Sequence, residues 1–237
     1  MSWAEFDERR KKTKTVIIPS GACEVYGPHM PLGTDIIVAQ KVAELVAEEV
    51  GAVVGPCLEI GNSNALYSYP GTMYCRPESL KAVYRDICES FIKWGFKNIF
   101  ILNTHLHNSF PLNDLLLELQ DENPGVMGSL IGWWQYIPSL TQDVFTTPTP
   151  HTHASEAGTS VLLHLAPEFV DMSKAVKTDS MYVDKYPAIN KYVSYDRYTD
   201  SGTIGDATAG SAEKGKITVE RGVAQIAAYI REVMENR

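Results

Sequence analysis

Short runs of β-branched and apolar residues alternate along this chain with longer stretches of helical periodicity, and that alternation restricts the folds open to it. Residues 15–19 (TVIIP), 52–58 (AVVGPCL), 98–102 (NIFIL) and 126–131 read as strands. Residues 36–50 carry Val38, Val42, Leu45 and Val46 at helical spacing and stop at Gly51. Residues 77–94 open with a proline and place Leu80, Val83, Tyr84, Ile87, Phe91 and Trp94 on one face. Further helices are expected over residues 112–120, 156–165 and 217–233. Strands joined to helices by short loops form βαβ units, so the expected class is α/β, with a mainly parallel sheet covered on both faces. No repeat or Pro/Ser linker divides the chain, and a single domain over residues 1–237 is the simplest organisation. The tract 174–215 is irregular and holds Tyr182, Tyr186, Tyr192, Tyr195 and Tyr198; a piece of that kind is usually functional or an oligomer contact.

Charge narrows the function classes. Lys and Arg number 21 against 29 Asp and Glu, a formal net charge of −8, which argues against a surface built for nucleic acid or an anionic membrane. Ahead of Pro19 the apolar run covers only residues 16–18, far short of the about 7–15 apolar residues of a secretory segment. The longest uncharged stretch, residues 124–142, is broken by Gly125, Gly128, Gly132, Gln135 and Pro138 and does not read as a membrane span. Cys23, Cys57, Cys75 and Cys88 show no CxxC pairing and no framework spacing, as expected of free thiols in a reducing cytoplasm.

Five of the six histidines fall in three short stretches, each after a proposed strand, while His164 stands apart. In a doubly wound sheet such segments can meet at one rim. Residues 21–35 (GACEVYGPHMPLGTD) hold Glu24, His29 and Asp35, and the two carboxylates can converge on a cation, although Asp35 taken alone reads better as a helix N-cap. Residues 103–108 (NTHLHN) hold His105 and His107; on an extended segment both would point to one side, and a mixed His/carboxylate set suits Zn, Mn or Fe. A pair of surface-loop histidines is the plain alternative. Residues 151–156 (HTHASE) stand at a helix start, where a charged imidazole is disfavoured and a histidine would be a neutral base or a hydrogen-bond partner. There Ser155 can be a simple N-cap and Glu156 a favourable first-turn acid. Cys23 is a poor nucleophile, because the adjacent Glu24 disfavours its thiolate. Trp133 and Trp134 either wall a pocket for a flat substrate or pack in the core. The glycine-rich residues 202–210 lack a phosphate-loop pattern.

Taken together, these residues resemble the creatininase (creatinine amidohydrolase) family. Its first signature, approximately G-S-x-E-Q-H-G-P-H-L-P-L-G-T-D, corresponds to residues 21–35; N-G-H-x-x-N corresponds to 103–108, and H-A-G-x-x-E-T-S to 153–160. A P-G-T turn at residues 70–72 and a late glycine-rich segment also recur, in collinear order over roughly residues 14–235. The resemblance implies a three-layer α/β/α sandwich, a metal-dependent hydrolase of a small molecule, and a homo-oligomer, often a hexamer. It implies a divalent cation (Zn, Mn or Fe) at Glu24, Asp35 and His105. The second-cation positions, beside the shared Asp35, are Tyr26 and His107, and the glutamate of E-T-S is Gly158, so the resemblance leaves one site intact and the second altered or empty. His153 would be the general acid/base, His29 would orient substrate or a ligand, and Glu156 is carried as a further catalytic candidate. These departures make creatinine an unexpected substrate. The family also includes formamide deformylases, a peptide-processing enzyme and a hydrolase of a cyclic inositol-derived ketone. The expected reaction is cleavage of a C–N bond in a cyclic amide or formamide, with ring opening of such a ketone as the alternative. A catalytically degenerate ligand-binding protein is the reading from another class.

Overall fold

β1 (Thr15–Ser20) is buried along its whole length, as is β3 (Asn98–Asn103), and the two pair in parallel from Thr15↔Asn98 to Ser20↔Asn103. The computed structural model that contains them describes residues 1–180, 185, 189 and 193–235. β2 (Val53–Val54) joins the outer side of β1 and β4 (Met127–Gly132) the outer side of β3, so the order is β2-β1-β3-β4 with every pairing parallel. Strands this buried need cover on both faces, and the alternation of side chains supplies it. Val16, Ile18, Ile99 and Ile101 enter one core with α3 (Pro77–Lys93) and α4 (Ser109–Glu122). Ile17, Phe100 and Leu102 enter the other with α2 (Thr34–Val50), α6 (Glu156–Leu165) and α7 (Ala212–Glu235). The result is the three-layer α/β/α sandwich with a parallel sheet.

Two expectations change. The strand expected over residues 52–58 keeps only Val53–Val54 in the ladder, with an isolated Ser20↔Leu58 bridge, because Pro56 has no N–H to give a neighbour. Two helices had no counterpart in the periodicity. α1 (Trp3–Lys12) buries no residue and is held instead by a Ser2/Glu5 capping box and by ion pairs of Asp7 with Arg10 and Lys11. α5 (Trp133–Leu140) follows β4 without a gap and contains Pro138. The irregular tract holds a short antiparallel pair, β5 (Lys177–Thr178) with β6 (Gly205–Asp206), and a 3-10 turn at Tyr195–Arg197. Tyr182, Tyr186 and Tyr192 lie outside the described residues. Among the described residues no helix is long and apolar enough to cross a membrane.

β1 leads through α2 to one neighbour, and β2 leads through α3 to the other side of β1. Winding therefore reverses between β1 and β3, and the loops leaving those two strands part to form a crevice of the kind that binds ligands. On the face behind it, α6 and α7 approach until their backbones touch. A Cβ on Gly215 would lie 1.8 Å from the carbonyl oxygen of Ser160. Alanine favours a helix interior by about 0.5–1 kcal/mol, but this clash is with backbone. Gly215→Ala is expected to destabilise by about 2 kcal/mol through overpacking. Urea denaturation measures it, and an unchanged midpoint would mean the two helices part freely.

Candidate metal centre

Glu24 and Asp35, on the loop after β1 and at the start of α2, meet His105, two residues beyond β3. Their ligand atoms lie within 4.8 Å of one another, and all three side chains are buried. No other group of three His, Cys, Asp or Glu side chains converges in this way among the described residues. His105 Nε2 lies 2.9 Å from the carbonyl oxygen of Asn62, and since a carbonyl only accepts, that nitrogen carries the proton. Nδ1 faces Glu24 Oε2 at 3.1 Å and Asp35 Oδ2 at 3.4 Å. Three electron-rich atoms repel one another in a buried place unless a proton on Nδ1 or a cation stands among them. Even with His105 protonated, two carboxylates are one positive charge short, and this oxygen and nitrogen donor set fits a divalent cation.

The titration behaviour carries the same imbalance. Burial opposes charge on every member. At Glu24 the facing His105 outweighs burial and holds the carboxyl well below its usual range. At Asp35 burial prevails, with the Glu24 charge adding to it, and pushes the carboxyl up. His105 is also buried, yet the two carboxylates favour its protonated form.

Neighbouring segments fix this group. The Ser63 hydroxyl donates to Glu24 Oε2 at 2.7 Å, and the Trp134 indole N–H donates to Asp35 Oδ1 at 3.1 Å. The Asn108 amide donates to Ser20 Oγ at 3.1 Å and to the Gly21 carbonyl at 2.9 Å, while its Oδ1 accepts from Asn62 N–H at 2.8 Å. One side chain thus ties the loops after β1, β2 and β3 together.

A cavity of about 990 Å³ opens over the group, lined also by Tyr26, His107, Trp134, His153, Tyr195 and Tyr198. His153 donates from Nδ1 to the Gly202 carbonyl at 2.8 Å, which leaves Nε2 3.4 Å from Glu24 Oε1. Its ring neighbours those of Tyr26 and Tyr195, with centroids 4.7 and 5.0 Å away. The next residue, Ala154, takes a left-handed backbone with φ 52, a strained conformation for a residue with a Cβ. His107 lies on a 3-10 turn (Leu106–Asn108) rather than an extended segment, so its ring stands nearly perpendicular to that of His105 (80°) and outside the three-residue cluster. Burial, with His105 beside it, lowers its pKa. Burial also pushes the Tyr26 hydroxyl well above its ordinary value, helped by Asp35 and Glu24.

His29 and Glu156 do not line the cavity. His29 shares a hydrogen bond with Thr159 Oγ1 at 2.9 Å, and burial lowers its pKa to about 4, so it joins the β1 loop to α6. Glu156 points to Lys214 Nζ at 2.6 Å and accepts the N–H groups of Thr146 and Thr147. Burial would raise its pKa, but Lys214 and the threonine donors outweigh burial and hold it at about 2. A carboxylate so engaged has no contact with a molecule in the cavity. Conversely, Asn62 and Ser63 sit on an irregular segment with no spacing to mark them, and Tyr195 is marked in the sequence only as part of the irregular tyrosine-rich tract. The tryptophan pair divides: Trp133 enters the core and Trp134 the cavity.

A family model described as creatininase, creatinine amidohydrolase, matches residues 1–230. The chain belongs to the creatininase family. Within the creatininase family, the creatinine amidohydrolase of Pseudomonas putida is 27% identical, the match covering 98% of this chain and 95% of that protein. The 3-dehydro-scyllo-inosose hydrolase of Thermotoga maritima is 28% identical, with coverage of 99% and 82%. Among solved structures, one described as creatininase Mn superposes with a TM-score of 0.86 at 26% identity, covering 98% of this chain and 96% of that one. A mutant creatininase of Zn-Zn type gives 0.83 at 26% identity, covering 98% and 95%. These creatininase relatives are hydrolases by name, and the manganese and zinc of the solved structures support binding of a divalent metal.

Proposed function

We propose that this creatininase-family chain is a divalent-cation-dependent hydrolase that cleaves a C–N bond in a small cyclic amide or formamide. The observation that carries the reading is the buried convergence of Glu24, Asp35 and His105 in the wall of the cavity. Those residues would hold Zn, Mn or Fe through two carboxylate oxygens and an imidazole nitrogen. When bound, the cation supplies Lewis acidity, polarising a carbonyl and making water acidic enough to attack near neutral pH. His153, fixed through Nδ1 on the Gly202 carbonyl, uses Nε2 to take a proton from the attacking water and return it to the leaving nitrogen. The carbonyl carbon gains the water oxygen, the C–N bond breaks, and the nitrogen departs with that proton. Trp134, Tyr195 and Tyr198 offer flat faces against which a small ring packs and displaces water. A cytoplasmic homo-oligomer acting on a small molecule belongs to the same reading.

Cation-depleted protein reloaded with Zn, Mn or Fe is expected to hydrolyse members of a panel of cyclic amides and formamides, with little turnover of creatinine. Inosose-type ketones belong in the panel because one relative is a hydrolase of that class. Turnover of the ketones alone would replace the amide assignment. Tight binding without turnover under every cation would make the chain a binding protein.

A further inference from the structure

The carboxylate of Asp35 presents its two oxygens to different neighbours. Oδ2 faces His105 Nδ1, within the three-residue cluster. Oδ1 accepts the Trp134 indole N–H at 3.1 Å, which occupies one of its acceptor positions and holds the indole against that side of the carboxylate. Tyr26, buried to 5% exposure, lines the same cavity wall as Asp35 and Glu24.

The Tyr26 ring fits there because residue 158 lacks a side chain. A Cβ on Gly158 would lie 3.2 Å from Tyr26 Cε1 and 3.6 Å from its hydroxyl oxygen. The ring packs on His153 from the other direction. Tyrosine and glycine thus form a matched pair, one on the β1 loop and one in the first turns of α6, that fills the space beside Asp35 with an aromatic ring. His107, a further nitrogen donor in the cavity wall, is outside the cluster and has no second carboxylate grouped with it among the described residues.

We infer that this chain holds one divalent cation rather than two, and that Tyr26, seated on Gly158, and the indole of Trp134 together close the side of Asp35 where another would bind. The inference rests on the cation-binding reading above and adds the count. It sets the chain apart from the solved relative of Zn-Zn type. It also frees His107 to face a bound molecule as part of the cavity wall.

The test uses the metal alone. Purified full-length wild type, Tyr26→Phe, His107→Ala and Tyr26→His are equilibrated by dialysis with excess Zn or Mn, freed of loosely bound ions, and analysed for metal per chain. Wild type, Tyr26→Phe and His107→Ala are expected to retain one equivalent. Tyr26→His, which puts a small nitrogen donor where the ring stood, is expected to rise toward two. Electron paramagnetic resonance of the manganese form should give the spectrum of an isolated ion for wild type. Two equivalents in wild type, or a coupled-pair spectrum, would overturn the count while leaving the cation reading intact; none in wild type would overturn both. A folded Tyr26→His variant that stays at one would remove Tyr26 as the closing residue. If that variant does not fold, the other three proteins still decide the count.

Discussion

His105→Ala is expected to strip the protein of its cation, and Glu24→Gln to weaken binding by at least about 100-fold, the upper end of the loss from removing a mere outer-shell partner. Metal analysis after reconstitution and dialysis measures both. Hydrolysis should fall with the cation, by about a thousandfold or more if Lewis acidity contributes several kcal/mol. The variants should separate in stability once the cation is removed. In the cation-free cluster protonated His105 faces both carboxylates and offsets part of their charge. His105→Ala leaves two buried carboxylates facing each other and should lower Tm, whereas Glu24→Gln removes one of them and should cost little. With cation at about 100 times its Kd, wild type gains about 2.7 kcal/mol. At 2–4 °C per kcal/mol for a chain of this size, that is roughly 5–11 °C in Tm, and both variants should lose it. A full equivalent of cation in both variants would end the metal assignment.

Lys214→Met should destabilise the protein by about 3 kcal/mol, roughly 6–12 °C in Tm. Glu156 has no exposed surface, and among the described residues Lys214 supplies its one opposite charge. Removing the ammonium leaves a buried carboxylate with only the threonine donors. Glu156→Gln should cost less, because the lysine is partly exposed and can turn to water. The double variant should resemble Glu156→Gln alone, since the coupling between the two is lost in either. The pH dependence has a definite sign. The folded pKa of about 2 lies below the ordinary 4.5, so the contribution is complete above about pH 4.5 and is lost as pH falls toward 2. Wild type and Lys214→Met should therefore differ most near neutrality and converge in acid. An equal gap at both ends would mean packing, not charge, had been removed. Because Glu156 also anchors Thr146 and Thr147, the loss should loosen the segment that leads to His151 and His153.

The layers and the parallel sheet were legible because the strands and most helices announce themselves by period. Residues 98–102 and 156–165 were placed to within a residue at each end. α1 was not legible, since a helix held by caps and ion pairs, with nothing buried, has no apolar stripe to read. The site divided along a similar line. Glu24, Asp35 and His105 could be picked out because carboxylates and imidazoles cluster just past strands. Glu156 looked the same on paper, and only its packing against Lys214, 58 residues away, removes it from the cavity. Asn62 acts through a main-chain carbonyl, which no side-chain pattern can mark.

The ladder between β1 and β3 ends at Ser20↔Asn103, and Glu24, Asp35 and His105 are all attached beyond that rung. Below it, every position is constrained by the pairing of strands and by two packed cores. Above it, side chains are set by loops that need only return to the next element. Tyr26 and His107, two of the positions where the resemblance marks a departure from the family's pattern, lie in that upper zone, and Gly158 meets Tyr26 from the first turn of α6. The architecture therefore separates what must be inherited from what is free to vary, and a lineage can try new chemistry at the rim without renegotiating the frame that carries it.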